Sequence, residues 1–135
     1  MTRFNGSCDC GAVNFNVELD DPAGAVLCHC DECKLRYGAF SVVYVVPESD
    51  LNFEEDWSIK TWSYPGDSGN PVPCGFCSNC GVNIYRKPAP LKGSYVLLAS
   101  TLKDSFNREV ARPSGEVFTK KKLHWVSTQV KNLDD

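Results

Sequence analysis

The chain has 135 residues, of which 42% are hydrophobic and 23% are charged. This composition is ordinary for a globular protein and too apolar for a disordered one, and the length predicts a single domain over residues 1–135. The formal net charge of −3 gives no general attraction for phosphate backbones, which argues against nucleic acid as a partner.

Short apolar segments with the alternation of β-strands follow one another along the chain. In chain order, the predicted strands are 12–19, 39–47, 59–64, 82–87, 94–100, 115–119 and 123–127. Glycine and proline predict loops over 66–73 and 87–93, and the only helical pieces expected are 30–38 and 101–106. The closing residues 131–135 are predicted as a solvated tail. The sequence therefore predicts a mainly β fold with few short helices.

Eight cysteines are the unusual feature of the composition. The amino-terminal segment has no signal-peptide core, and no window approaches the roughly 20 apolar residues that span a bilayer. A cytoplasmic protein without a membrane partner is therefore expected, and thiols stay reduced in that compartment. Metal binding is thus favoured over a disulfide framework, which remains the alternative if the chain is secreted by another route.

The cysteines fall into three groups along the chain: Cys8 and Cys10; Cys28, Cys30 and Cys33; and Cys74, Cys77 and Cys80. Structural zinc is held tetrahedrally, usually by one ligand pair from each of two segments. The turn CSNCG resembles a zinc knuckle, in which the glycine lets the chain bend while backbone amides point at the sulfurs. Cys77 and Cys80 need a second pair, and Cys8 with Cys10 is the isolated pair available. These four residues are predicted to form a closed structural zinc site.

Cys28, Cys30 and Cys33 are the predicted ligands of a second zinc ion. Three protein ligands and one exchangeable position are typical of catalytic zinc, whereas four protein ligands are typical of structural zinc. Cys74 decides between the two possibilities. If it binds, the second site is closed; if it points elsewhere, the site has a position for water, a thiolate or a carbonyl oxygen.

Four stretches of the chain resemble the glutathione-dependent formaldehyde-activating enzyme family, which also includes the centromere protein V group. They are GSCDCGAVNF (6–15), CHCDECKLRYGAF (28–40), FCSNCGVNIY (76–85) and LHWVS (123–127). The resemblance implies a small antiparallel β-tent fold with zinc knuckles. It also implies a structural zinc on Cys8, Cys10, Cys77 and Cys80 and a catalytic zinc on Cys28, Cys30 and Cys33. Cys74 departs from the family pattern, because no family ligand is expected beside the knuckle.

The activity that this resemblance implies is that of a zinc-dependent carbon–sulfur lyase or a related enzyme. It would hold two zinc ions per chain and use glutathione as a thiol cofactor. Its substrate would be a small carbonyl compound or the glutathione adduct of one, in detoxification or biosynthesis. The alternative is a non-enzymatic zinc scaffold that binds a protein partner, which a closed second site without a neighbouring pocket would favour.

Histidines and aromatic residues outside the cysteine groups give further expectations. His29 lies between two predicted ligands and is interpreted as a structural residue, with proton transfer as the alternative. His124 and Trp125 alternate on a predicted strand, so one of them is expected to face the core. Trp57 and Trp62, with the nearby Tyr64, are expected to pack in the core or to form a lid over a small ligand.

Overall fold

The computed structural model describes residues 2–20, 24–103 and 112–134, in which β-strands are the main regular structure. The strands are β1 (Thr2–Ser7), β2 (Asn14–Leu19), β3 (Ala25–Cys28), β4 (Ser41–Pro47), β5 (Leu51–Phe53), β6 (Ile59–Pro65), β7 (Pro71–Cys77), β8 (Asn83–Arg86), β9 (Ser94–Leu98), β10 (Pro113–Val117) and β11 (Lys131–Asn132). Helix α1 spans Asp31–Tyr37, and short 3₁₀ helices span Glu48–Asp50, Ala89–Leu91, Ala99–Thr101 and Thr119–Lys121. No helix of this described part is long and apolar enough to cross a membrane.

The strands form two sheets. The smaller has the order β1-β2-β5, and the larger has the order β11-β10-β3-β4-β9-β8-β7-β6. All pairs are antiparallel except at one end of the larger sheet, where β10 runs parallel to both β3 and β11. The predicted mainly β fold is thus confirmed, with a mixed rather than purely antiparallel larger sheet.

The main core lies between the two sheets and includes part of the first cysteine group. Alternating residues of β2, such as Val17, are buried, because successive side chains of a strand point to opposite faces. Strands β8 and β9 contribute Ile84 and Leu97, both fully buried. Cys8 and Cys77 belong to the same cluster and have no exposed surface. A metal bound by these two cysteines would therefore hold the edge of the core together.

Six of the seven predicted strands are present, and the prediction for 123–127 is wrong. That segment forms a turn in which the Val126 N–H donates to the Leu123 carbonyl at 2.9 Å. His124 and Trp125 are both exposed, so the expectation that one faces the core is also wrong. Alternation alone could not reveal that no strand among the described residues pairs with this segment.

The predicted loop 66–73 ends earlier than expected, because β7 begins at Pro71. The Pro73 carbonyl accepts a hydrogen bond from Lys87 N–H at 2.9 Å, so the ring nitrogen of Pro73 faces the same side. Lys87 lies just beyond the end of β8, and the missing N–H of Pro73 therefore interrupts no ladder between the two strands. Proline in a strand is tolerated in such a position.

The two predicted helical pieces have different outcomes. The helix expected over 30–38 is confirmed as α1. The piece expected over 101–106 begins at the end of the 3₁₀ helix Ala99–Thr101, and residues 104–106 lie outside the described residues.

The closing segment is exposed as far as residue 134, as predicted, but it is paired with β10 rather than a free tail. Lys131–Asn132 form β11, and Leu133 N–H donates to the Glu116 carbonyl at 2.9 Å. Residue 135 lies outside the described part.

His29 is fully buried and belongs to a polar network under the end of β10. Its Nε2 donates to Oε1 of Glu116 at 2.8 Å, and the same oxygen accepts from Thr128 Oγ1 at 2.8 Å. Lys122 Nζ donates to Oε2 of Glu116 at 3.2 Å. These contacts fit the structural interpretation of His29.

Replacing Glu116 with alanine is expected to destabilise the protein by about 3–5 kcal/mol, because buried His29 loses its acceptor and partly buried Lys122 loses its carboxylate partner. The thermal melting midpoint of the zinc-loaded protein should fall by about 10 °C or more. Glu116→Gln is the matched control and should fall less, because its amide oxygen still accepts a hydrogen bond. Equal melting of both variants and the parent would show that the network contributes nothing.

Candidate metal centres

The first cysteine group joins two turns that are distant in sequence. Cys8 and Cys10 follow β1, Cys77 ends β7, and Cys80 lies in the turn before β8. Their four ligand atoms lie within 4.8 Å of one another. The Sγ atoms of Cys8 and Cys10 are 3.6 Å apart, and those of Cys10 and Cys77 are 3.7 Å apart. Sulfurs on a zinc tetrahedron with bonds of about 2.3 Å are separated by about 3.8 Å, so this donor set fits zinc.

The two turns have the same construction. In each, the N–H of the first cysteine donates to the carbonyl five residues later, from Cys8 to Val13 at 3.1 Å and from Cys77 to Val82 at 3.0 Å. The residue after the second cysteine has left-handed backbone geometry, which glycine adopts without steric cost. These residues are Gly11 with φ 82° and Gly81 with φ 79°.

Backbone amides point at the sulfurs of the first group, as the knuckle pattern predicts. The N–H groups of Asn79 and Cys80 donate to Cys77 Sγ at 3.4 and 3.5 Å. Hydrogen bonds from the backbone of Val82 and then of Cys10 lower the pKa of Cys80 to about 6. The turn thus favours, at Cys80, the thiolate form that a metal ion binds.

The second cysteine group is built where β3 passes into α1. Cys28 is the last residue of β3, Cys30 caps the helix, and Cys33 lies in its first turn. Their Sγ atoms also lie within 4.8 Å of one another. Cys30 Sγ accepts a hydrogen bond from Cys33 N–H at 3.4 Å, and Cys33 Sγ accepts from Ser41 Oγ at 3.1 Å. The helix cap therefore brings the three sulfurs to one place.

Cys74 lies outside this three-sulfur group. Its side chain is buried in β7, and its Sγ is 3.8 Å from the Val72 carbonyl oxygen. Burial raises the pKa of the Cys74 thiol, which favours the protonated form over a metal-binding thiolate. Of the two possibilities that the sequence leaves open, this geometry favours three protein ligands.

Arg86 is the residue of this site that the sequence analysis missed. Its guanidinium donates from Nη2 to Cys28 Sγ at 3.4 Å and from Nη1 to Cys30 Sγ at 3.6 Å. Burial opposes its charge, yet the nearby sulfurs of Cys33 and Cys28 hold the Arg86 pKa above its ordinary value. The alternation of β8 places Arg86 on the same face as the buried Ile84, but nothing local in the sequence indicates that Arg86 meets the sulfurs of Cys28 and Cys30.

A cavity of about 230 Å³ lies beside the second group and includes Cys30 and Arg86 in its lining. The Arg86 guanidinium also donates to Tyr64 Oη at 3.5 Å, and burial raises the pKa of this tyrosine. Charged side chains in the lining belong to Asp31, Glu32, Asp67 and Lys121. The apolar lining consists of Pro65, Val72, Pro88, Ala89, Pro90 and Phe118.

Residues 3–121 match the sequence model of the glutathione-dependent formaldehyde-activating enzyme family. This chain belongs to that family. The formaldehyde-activating enzyme fold is also seen in the crystal structure of a Rhodobacter sphaeroides protein, which is 23% identical and superposes with a TM-score of 0.65. The match covers 81% of this chain and 96% of that protein, and at this identity it supports the fold alone.

The other aromatic candidates of this formaldehyde-activating enzyme family member are placed differently from expectation. Trp57 and Trp62 are 74% and 63% exposed, so neither packs in the core, and neither lines the cavity. Tyr64 is the member of that cluster that reaches the site. His124 is exposed and is also absent from the described lining.

Replacing Arg86 with glutamine is expected to reduce turnover with glutathione and formaldehyde, the reaction for which the family is named, about 10- to 100-fold. Such a loss is typical when a group that contacts metal ligands is removed, and Arg86 contacts two of the candidate ligands. Arg86→Lys should recover only part of the loss, because an ammonium cannot bridge two sulfurs as a guanidinium fork does. Lys87→Gln is the matched control, since Lys87 contacts Glu48 instead. Turnover of Arg86→Gln at the parent rate would show that the bridge is dispensable.

Proposed function

We propose that this chain is a zinc-dependent carbon–sulfur lyase, or a closely related enzyme, for small carbonyl compounds and their thiol adducts. One observation carries the proposal: the three-sulfur group, with Cys74 outside it, adjoins a cavity whose lining includes Cys30. In this proposal the first cysteine group holds a structural zinc ion. Cys28, Cys30 and Cys33 hold a second ion, at which glutathione is the expected thiol.

The residues around the second group have separable tasks in this proposal. The chemistry that a bound zinc ion supplies is Lewis acidity, which lowers the pKa of a thiol or polarises a carbonyl group. Arg86 offsets the negative charge of three thiolates and orients Cys28 and Cys30 through its two hydrogen bonds. The Tyr64 hydroxyl, protonated at neutral pH, is placed to donate to a substrate oxygen at the cavity wall.

The proposed reaction needs no oxidant or reductant. A thiol sulfur forms a bond to the carbonyl carbon while the carbon–oxygen double bond becomes single, and the thiol proton ends on the oxygen. The reverse reaction breaks the carbon–sulfur bond and releases thiol and carbonyl compound. The apolar part of the lining contacts the carbon skeleton of the substrate, and the polar groups of Tyr64 and Arg86 stabilise the oxygen on which negative charge develops.

The scaffold alternative is not favoured by this geometry. A non-enzymatic zinc scaffold would have a closed second site with no adjoining pocket. Cys74 instead lies outside the three-sulfur group, and the cavity adjoins Cys30.

The test is a measurement of adduct exchange by ¹³C NMR with labelled formaldehyde and glutathione. The exchange rate between free and glutathione-bound formaldehyde should increase with the concentration of zinc-loaded protein. Mild chelation that removes one of two zinc ions should abolish the increase, and added zinc should restore it. Exchange at the buffer rate with formaldehyde, and with a panel of other aldehydes and small thiols, would refute the proposal.

A further inference from the structure

Phe118 has a backbone conformation that is unusual for its residue type. Its φ of 55° and ψ of 42° are left-handed, and it is the one non-glycine residue with positive φ in the part of the chain that the structure describes. A bulky side chain rarely adopts this geometry unless the surroundings impose it. The ring does not compensate by entering the core, because it is 45% exposed and lines the cavity beside Cys30.

The conformation of Phe118 is held by the closing segment 131–134, which we call the clasp. The Asp134 carboxylate accepts from Phe118 N–H at 3.1 Å through Oδ1. Its Oδ2 accepts from Thr119 N–H at 2.7 Å and from Thr119 Oγ1 at 2.8 Å. One carboxylate thus fixes the backbone on both sides of the Phe118 carbonyl.

The clasp pairs with β10 and packs against it. Strand β11 pairs with β10, with Gly115 opposite Lys131. A Cβ atom at Gly115 would lie 2.5 Å from the Leu133 side chain, so only glycine leaves room for Leu133 there. Asp134 is therefore held at Phe118 by packing and strand pairing, rather than by its own hydrogen bonds alone.

The other side of Phe118 is tied to the helix that holds the second cysteine group. The 3₁₀ helix Thr119–Lys121 follows directly, and Lys121 Nζ contacts Asp31 Oδ2 at 2.6 Å. Asp31 is the first residue of α1, next to Cys30. The backbone at Phe118 is thus held between the clasp on one side and the start of α1 on the other.

We propose that the clasp positions Phe118 as a wall of the cavity, and that this wall limits the size of the carbonyl component that reaches the second cysteine group. The inference rests on the proposed function, because it assigns specificity to the same site. The clasp lies beyond residues 3–121, the part of the chain that matches the family, whereas Phe118 lies within it. Small carbonyl components fit beneath the ring, and aromatic or branched ones are excluded by it.

The test compares the binding of S-methylglutathione and S-benzylglutathione to the zinc-loaded protein by calorimetry. Phe118→Ala and Phe118→Gly should each raise the benzyl-to-methyl affinity ratio about tenfold, the discrimination typical of an apolar pocket wall. Phe118→Gly also relieves the backbone strain, so this variant should keep its fold. Asp134→Ala should raise the ratio in the same direction, and Glu18→Ala, a remote surface carboxylate on β2, should leave it unchanged.

Three results would count against these statements in different ways. An unchanged benzyl-to-methyl affinity ratio in Phe118→Gly overturns the proposal that Phe118 limits the size of the carbonyl component. If the affinity ratio is raised in Phe118→Gly but unchanged in Asp134→Ala, Phe118 limits size without help from the clasp, and the proposed positioning by the clasp is wrong. Failure of both thioethers to bind the parent protein overturns this inference, whereas the proposed function stands or falls with the exchange measurement.

Discussion

Replacement of Cys77 by serine is expected to unfold most of the protein and to abolish its binding of zinc. Cys77 is fully buried, belongs to the main core and is one of the four sulfurs of the first group. Apparent binding free energies of structural zinc are about 10–16 kcal/mol, which equals or exceeds the usual 5–15 kcal/mol stability of a folded domain. Loss of this ion is therefore expected to remove most or all of the free energy that stabilises the folded state. Circular dichroism and zinc content measured on the same sample test the expectation.

Cys74→Ala is the matched control for this experiment. Cys74 lies on the same strand, three residues earlier, and is equally buried, but it is outside both sulfur groups. The Cys74→Ala protein should keep two zinc ions per chain. Its free energy of unfolding should fall only slightly, because one small buried side chain is truncated. A folded Cys77→Ser protein with the melting temperature and zinc content of the parent would exclude a structural role for the first group.

Replacement of Cys30 by serine has the opposite expected profile: the fold remains and turnover is lost. Serine is itself a good helix cap, so α1 should still begin at Asp31. The first cysteine group is untouched, and one zinc ion per chain should remain. Turnover should fall by at least about 100-fold, because Lewis-acid stabilisation supplies several kcal/mol and each 1.4 kcal/mol is tenfold in rate.

Steady-state turnover and zinc content of Cys30→Ser are to be compared with those of Cys74→Ala. The Cys74 variant should retain both turnover and the second ion if three sulfurs hold that ion. Loss of the second ion in Cys74→Ala would instead identify Cys74 as a fourth ligand. Parent turnover and two zinc ions in Cys30→Ser would contradict the proposed function.

The two groups of neighbouring cysteines could be predicted from the sequence to a large extent, because their geometry is local. The close spacing of Cys77 and Cys80, with Gly81 after them, determines a turn whose amides point at the sulfurs. Pairing this turn with Cys8 and Cys10 needed only a count of the available thiols. The main strands were predictable for a similar reason, since alternation over several residues reflects a buried face.

Arg86 and the clasp were not predictable, because both depend on which strands become neighbours. Arg86 reaches the sulfurs of Cys28 and Cys30, which lie more than 50 residues away in the chain. Strand β11 has two residues, too few for any periodicity, and its pairing is determined by Leu133 packing over Gly115. The segment 123–127 shows the converse error: alternation is present, but none of the described strands pairs with it to form a ladder.

The number of sulfur ligands on zinc tests the central claim most directly. X-ray absorption at the zinc edge should give four sulfurs for the Cys30→Ser protein, which keeps the first ion alone. The fully loaded parent should give an average of about 3.5 sulfurs per zinc at about 2.3 Å, with oxygen or nitrogen completing the second ion. Four sulfurs on both ions of the parent would contradict an open metal site at Cys28, Cys30 and Cys33.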